Sequence, residues 1–501
     1  MKSKSKNIQK LLEKYREISL LVKINSILGW DMAVNLPPKG AEGRAKQSAY
    51  LTKLITEKWL DPEFKKLIET TDDTKLSSEE KAVLRNLRHA GKFHYKVPKK
   101  VIVEFSEASS RAFMAWQEAR RENNFKKFLP FLKKNVELNK KIANHLGYGN
   151  NPYDALLDIF EPGLTAEDVE AVFVKLQPEL TVLITKIKKS QNYKKADRLV
   201  SKTAKFPQEL QRELALEIIA KMGYDLDAGR MDISTHPFTE QLGSHDIRIT
   251  NRYRENAFQE SLMTAMHEAG HALYEQGVKS SYAGTPLEGG VSLGIHESQS
   301  RFWENQVGRS EVFAKYAIKL FRKYYPKEFN KMSSEDLFIV FNDVNPGFIR
   351  VEADEVTYNL HIALRFGLEN GIINNKLKVE DLPEIWRSKM KDYLGVVPKT
   401  DREGVLQDVH WSHGMLGYFP TYTLGNLYAA QFAVKLKKQL DFDKLAGTGN
   451  LAPILSWLRK NIHQYGSLYW PKELIKKVTG EELKPDYFLA YIKDKYTKLY
   501  L

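Results

Sequence analysis

His267 and His271 stand four residues apart in Ala265-Met266-His267-Glu268-Ala269-Gly270-His271-Ala272-Leu273-Tyr274. On an α-helix that spacing puts both imidazoles on one face, a turn apart. Glu268 follows the first of them, positioned to reach a water held by a metal between the two rings. H-E-x-x-H on a helix is the signature of zinc metallopeptidases, with two ligands and one general base. The bland alternative is an exposed polar helix face. Against it, the flanking residues are small and apolar, which predicts a helix buried around its histidines. Buried imidazoles and a buried carboxylate need partners, and a metal supplies them. Eight of the twelve histidines also fall between His236 and His413, which marks this region as the place of chemistry.

Catalytic zinc takes three protein ligands and keeps one position open for water. The chain has no cysteine, so thiolates and disulfides are excluded and a metal must be held by His, Asp or Glu. Glu297, in Gly294-Ile295-His296-Glu297-Ser298-Gln299, lies 26 residues after His271. That leaves room for a loop and the return of an antiparallel helix. The extended H-E-x-x-H-x-x-G-x-x-H pattern is absent, because Tyr274 and Gly277 occupy the places of its glycine and third histidine. These residues point to a His267/His271/Glu297 site, with His296 as second choice for the third ligand. A metal so held lowers the pKa of its water to ~7. Glu268 would take that proton during attack on a peptide carbonyl and pass it to the leaving amine. A Tyr or His donor usually helps the metal stabilise the oxyanion.

The elements that must position these groups are mostly helical. Ile8, Leu11, Leu12, Tyr15, Ile18, Leu21, Val22 and Ile24 recur at helical spacing over 7–30, and Pro37-Pro38-Lys39-Gly40 breaks the pattern. Ser77 to Glu80 and Thr165 to Asp168 read as helix caps. Pro130 interrupts or starts a helix that ends near Gly147. Alternation appears convincingly only at His245 to Thr250, a short strand. The motif helix should span about 257–275, and further helices fit 295–307, 350–368 and 423–439. The class is mainly α with a little β-sheet beside the motif helix. It forms one large domain over 1–501, or two lobes around a cleft. Helices fill about 1–230, the chemical motifs about 231–430, and further helices about 431–501.

At 501 residues and 42% hydrophobic content the chain can bury a large core. No apolar run approaches the ~20 residues needed to span a membrane. The basic start, Met1 to Lys6, leads into an amphipathic pattern and not an apolar signal segment. A cytoplasmic location is the default expectation. The net charge of +14 is spread over scattered lysines such as Lys99-Lys100, Lys133-Lys134 and Lys476-Lys477. No basic block is interleaved with aromatics, so a solvated surface is favoured over a nucleic-acid partner.

Beyond the motif helix, five segments resemble the carboxypeptidase Taq family in the family's own order. They are His236-Pro237-Phe238, Asp246-Ile247-Arg248-Ile249-Thr250, His296-Glu297-Ser298-Gln299, Ile349-Arg350-Val351-Glu352-Ala353-Asp354 and Gly404-Val405-Leu406-Gln407-Asp408-Val409-His410-Trp411. Trp30-Asp31 and Pro38-Lys39-Gly40 also look like the family. The resemblance implies a large helical two-lobed fold around a deep groove, related to neurolysin and angiotensin-converting enzyme. It implies release of single C-terminal residues from peptides with broad specificity, Zn²⁺ or Co²⁺ as the metal, and a homodimer. The rival expectation is a thimet-type oligopeptidase or dipeptidyl carboxypeptidase.

An exopeptidase needs a cation for the free α-carboxylate, and the planar fork of Arg binds carboxylates bidentately. Arg350 is the leading candidate, with His410 beside it; the alternative for Arg350 is an ion pair with Glu352 or Asp354. Asp246 and Arg248 come from the strand, whose edge could hold an extended peptide. In the family this motif is thought to limit the groove, and the alternative is a structural salt bridge. Tyr422 is the first choice for oxyanion donor and Tyr418 the reserve, against simple aromatic packing, and Pro420 between them favours a turn over a helix. His236 is a substrate-contacting or metal-supporting candidate, or else a satisfied core histidine.

Overall fold

Helices dominate the computed structural model, which describes residues 1, 3–201 and 203–501. The two caps form as their residue types dictate. Thr165 Oγ1 accepts from Asp168 N while the Asp168 carboxylate accepts from Thr165 N, a reciprocal capping box on the Ala166–Lys189 helix. Ser77 and Glu80 make the same exchange ahead of the Ser78–Lys96 helix. The first helix is longer than its apolar stretch, running Lys6–Val34. Pro130 neither starts nor ends a helix but lies inside Phe125–Leu146. It is the sixth residue there, so its missing N–H removes only the bond to the Lys126 carbonyl.

Two boundaries near the candidate residues differ from expectation. The helix placed at 350–368 runs Tyr358–Ile373, and Arg350–Glu352 forms a single 3₁₀ turn before it. The Asp354 carboxylate explains the shift. It accepts from Val356 N and Thr357 N, each at 3.0 Å, and from Thr357 Oγ1 at 2.8 Å, so the chain turns before the helix begins. The helix placed at 423–439 begins at Pro420 and runs Pro420–Lys437. Proline suits a first helical position, where no N–H is needed and φ is already set. Tyr422 therefore lies in a helical first turn and not in a loop.

By compactness the chain falls into two units, each assembled from three segments. The first comprises Met1–Tyr95, Leu199–Phe341 and Phe432–Glu482. It holds the sheet: β1 (Met231–Ile233), β2 (Thr239–Gly243) and β3 (Asp246–Asn251), in the order β1-β3-β2. β3 pairs parallel to β1 and antiparallel to β2, with Thr239 opposite Ile249 and Glu240 opposite Arg248. Of the three, β3 carries the alternation, with Ile247 and Ile249 buried. The Phe258–Gln276 helix packs on this sheet and on the Leu293–Arg301 helix. Gly270 permits the second contact. A Cβ there would come within 2.6 Å of Gln299 O and 2.7 Å of Ser300 Cα.

The second unit comprises Lys96–Arg198, Asn342–Gln431 and Leu483–Leu501. Its Tyr358–Ile373 helix is apolar nearly all round and buried along almost its whole length, as expected of a helix with no solvent face. The charged residues on it, Arg365 and Glu369, are fully buried.

Candidate functional site

The first unit brings together His267, His271 and Glu297. The ring nitrogens of the two histidines are sorted by what stands behind them. His267 Nδ1 lies 2.9 Å from Glu304 Oε2, and His271 Nδ1 lies 2.7 Å from His296 Nδ1. His296 Nε2 in turn meets Glu275 Oε1 at 2.7 Å, which also accepts from Gly290 N. The Nδ1–Nδ1 contact needs a single donor, and a proton on His271 Nδ1, with His296 accepting there and donating Nε2–H to Glu275, satisfies both contacts. Both His267 and His271 then carry their protons on Nδ1 and present Nε2 as a lone pair. Arg301 Nε bonds Glu297 Oε1 at 2.7 Å and leaves Oε2 for the cluster. That Oε2 lies 3.8 Å from His267 Nε2 and 3.5 Å from His271 Nε2.

The three ligand atoms lie within 4.8 Å of one another. A tetrahedral ion with bonds of ~2.1 Å separates its ligands by about 3.4 Å, so this donor set needs only a small contraction to hold a divalent metal. His296 stands behind His271 and not in the ligand set. Glu304 belongs to a π-helical segment, Phe302–Gly308, that follows the Glu297 helix; such segments are frequent at functional sites. Arg301 Nη1 and Arg309 Nη2 bond its two oxygens at 3.0 and 3.2 Å.

The electrostatics follow from burial and neighbours. Burial disfavours a charged Glu297, but Arg301 and the two histidines outweigh it and hold the carboxyl well below the usual range. Glu304 is held low in the same way, by Arg301 and His267 against its burial. His271 falls to about 4, chiefly through burial. His267 is pulled up instead, because Glu297 and Glu304 outweigh its burial. Glu268 is raised above the ordinary carboxylate range by burial, while His267 and a hydrogen bond from Thr239 partly restrain it. Thr239 Oγ1 donates to Glu268 Oε2 at 2.7 Å and so fixes the carboxylate's rotamer from the edge of β2.

The neighbouring strand candidates behave differently. Arg248 makes a bidentate pair with Asp246, at 2.7 and 2.8 Å, and lies over the Trp30 ring. This is the salt-bridge arrangement, although both side chains remain partly exposed. His236 is exposed between β1 and β2, so it is not a core histidine. Its carbonyl accepts a hydrogen bond from Ser234 Oγ.

The second unit gathers Arg350, His410, Tyr418 and Tyr422. Arg350 does not pair with Glu352 or Asp354. Its Nε donates to Asp408 Oδ1 at 2.9 Å and its Nη1 to Tyr358 OH at 3.1 Å, with the guanidinium over the Tyr422 ring. His410 Nε2 is 3.2 Å from Tyr422 OH, and its ring lies against Tyr418 and Phe419. Burial, reinforced by Arg350, lowers His410 to about 3, so it is a neutral imidazole. Glu369 secures the loop that carries these groups. Its carboxylate accepts from Trp411 Nε1 and Tyr153 OH, each at 2.6 Å, and from Gly417 N at 2.9 Å.

Glu304, Glu275, Thr239, Arg365 and Glu369 were not anticipated. Four of them left a trace. Glu304 continues the face of Glu297 and Arg301, and Glu275 continues that of His267 and His271, all at i+3 or i+4 spacing. Arg365 and Glu369 are charges inside the apolar run Leu360 to Leu368 and just beyond it, where a charge must be buried and paired. Thr239 had no such signal.

The sequence model of the Carboxypeptidase Taq (M32) metallopeptidase family matches residues 10–496. Thermostable carboxypeptidase 1 of Pyrococcus furiosus is 42% identical over 98% of this chain and 99% of its own length. Thermostable carboxypeptidase 1 of Thermus thermophilus is 42% identical over 98% of both. A solved structure of Pyrococcus furiosus carboxypeptidase superposes with a TM-score of 0.93 at 41% identity, over 98% of this chain and 99% of that one.

Proposed function

The chain belongs to the carboxypeptidase Taq (M32) family and is a metal-dependent carboxypeptidase, and on that premise we propose how its residues divide the reaction. His267, His271 and Glu297 hold a Zn²⁺ or Co²⁺ ion. When bound, such an ion polarises the scissile carbonyl and acidifies the attacking water. Glu268 takes the proton of that water and returns it to the leaving amine; its burial favours the proton-accepting role. Tyr422, with His410 against its hydroxyl, donates to the developing oxyanion, and Tyr418 supports the pair. Arg350 grips the α-carboxylate of the departing residue. Asp246 and Arg248, with His236, contact the substrate away from the cut.

The observation that carries this reading is the convergence of two imidazole Nε2 atoms on Glu297 Oε2, each ligand backed so that only one atom is left to offer. Products are single C-terminal residues of broad type. Mass spectrometry of a peptide digested by the zinc-loaded enzyme tests it: a ladder of single-residue losses is expected, and internal cuts or dipeptide release would overturn it. The enzyme works in the cytoplasm as a homodimer, and sedimentation tests the second point. No described helix is long and apolar enough to cross a membrane.

A further inference from the structure

Asp408 in the second unit is shared. Its Oδ1 accepts from Arg350 Nε at 2.9 Å, and its Oδ2 accepts from Arg365 Nε at 2.6 Å with Arg365 Nη2 at 2.5 Å. All three side chains are more than nine-tenths buried. The two guanidinium groups are used differently. Arg365 is turned inward: Nε hydrogen-bonds Asp408 with Nη2 in ion-pair contact beside it, Nη1 donates to the His361 carbonyl at 2.7 Å, and the fully buried group stacks over Trp386. Arg350 commits Nε to Asp408 and Nη1 to Tyr358, and among the described residues no hydrogen bond engages its Nη2. Glu369, the nearest other acid on the helix of Arg365, is bonded to Tyr153, Trp411 and Gly417 and to neither arginine.

One buried carboxylate facing one buried guanidinium would leave little field for an incoming anion. Two guanidinium groups on one carboxylate leave the cluster one positive charge in excess. Buried charges are stable when compensated, and a free α-carboxylate at Arg350 would supply that compensation. We propose that Arg365 is a specificity-determining positioning residue. By taking half of Asp408, it keeps Arg350 positive enough to select a free C-terminal carboxylate over an uncharged C-terminus. This rests on the assignment of Arg350 as the carboxylate anchor.

Calorimetry with zinc-loaded Glu268→Gln enzyme tests it, comparing an N-blocked peptide with its C-terminal amide. The quantity read is the ratio of the two dissociation constants. Adding Arg365→Met should cut the preference for the acid by about tenfold or more, and binding of the amide should hold within about threefold. Adding Asp408→Asn to Arg365→Met restores one net positive charge and should restore the preference. A merely structural role for Arg365 makes the double change no better than the single one. If Arg365→Met fails to fold, the pair Arg365→Met/Asp408→Asn is compared directly with the parent, and loss of the preference there overturns the proposal. An unchanged ratio in Arg365→Met overturns it too. Arg350→Ala in the same background separates the two ideas. A preference that survives Arg350→Ala removes the anchor assignment. A preference lost there but kept in Arg365→Met removes only the role of Arg365.

Discussion

The two clusters are built with opposite charge balances. Around the candidate metal ligands of the first unit stand four acids: Glu297 and Glu304 bond Arg301 and Arg309, while Glu275 meets His296 and Glu268 meets Thr239. That surplus of carboxylate suits a divalent cation. Around Arg350 in the second unit, two guanidinium groups face Asp408 alone, a surplus that suits an anion. In both places a second layer decides which atom of the first is left to offer. Glu304 and His296 occupy Nδ1 of His267 and His271, and Asp408 and Tyr358 occupy two of the three nitrogens of Arg350. Peptide hydrolysis from the C-terminus needs both tasks done, the cation's and the anion's.

The largest effect should come from Glu268, the acid that follows the first histidine of the candidate metal pair. Glu268→Gln keeps the Thr239 contact and the shape of the side chain but cannot accept a proton. It should lower kcat by about 10²–10⁴-fold, with metal content unchanged by elemental analysis. Hydrolysis near the wild-type rate would remove Glu268 as the base. In the second cluster, Arg350→Ala should lower kcat/KM for free-acid peptides by about 10²–10³-fold, because truncation leaves the substrate carboxylate without its cation while Arg365 still neutralises Asp408. Zinc content should again be unchanged. A variant with kcat/KM close to wild type would show that the second cluster's surplus charge does not serve the substrate.

The clusters also differ in how much of them was legible. His267, Glu268, His271 and Glu297 lie within 31 residues on two helices; helical spacing puts the two histidines on one face, and the short separation lets the next helix return Glu297 to them. Gly270, inside the motif, carries the packing information: the backbone of the Glu297 helix passes where its Cβ would be. The second cluster draws on Arg350, Tyr358, Arg365, Asp408 and Tyr422, spread over three stretches. No local period links them, and only the resemblance placed Arg350 and His410 together. Helix starts failed where a side chain reached past its own turn, as at Asp354, or where a proline opened a helix, as at Pro420. β1 has only three residues, and β2, Thr239 to Gly243, has a single large apolar residue, so neither shows alternation.

A smaller effect tests whether the layer behind the ligands matters. Glu304→Gln keeps an acceptor for His267 Nδ1 but loses the charge that Arg301 and Arg309 clamp. Zinc affinity measured by competition with a chelator should fall about 10–100-fold. Equal affinity would mean that Glu304 serves only the fold.

The smallest effect isolates Glu369, the buried acid that holds the loop of His410 and Tyr418. Burial raises its carboxyl to about 7, against an ordinary value of 4.5, although Tyr153, Gly417 and Trp411 all donate to it. The folded state therefore holds this proton more tightly than the unfolded chain does. Its contribution to stability is fully present below about 4.5 and is lost as pH rises through about 7. Glu369→Gln removes that dependence and also sets an amide N–H against Trp411 Nε1–H, at a cost of about 1 kcal/mol. The variant should melt a few degrees below wild type at low pH, and the gap should close or reverse as pH rises past 7. Melting curves followed by circular dichroism from pH 5 to 8 supply the measurement. Wild-type and variant temperatures that run parallel across that range would show that Glu369 is already ionised in the fold, and the second cluster would then lack its surplus positive charge.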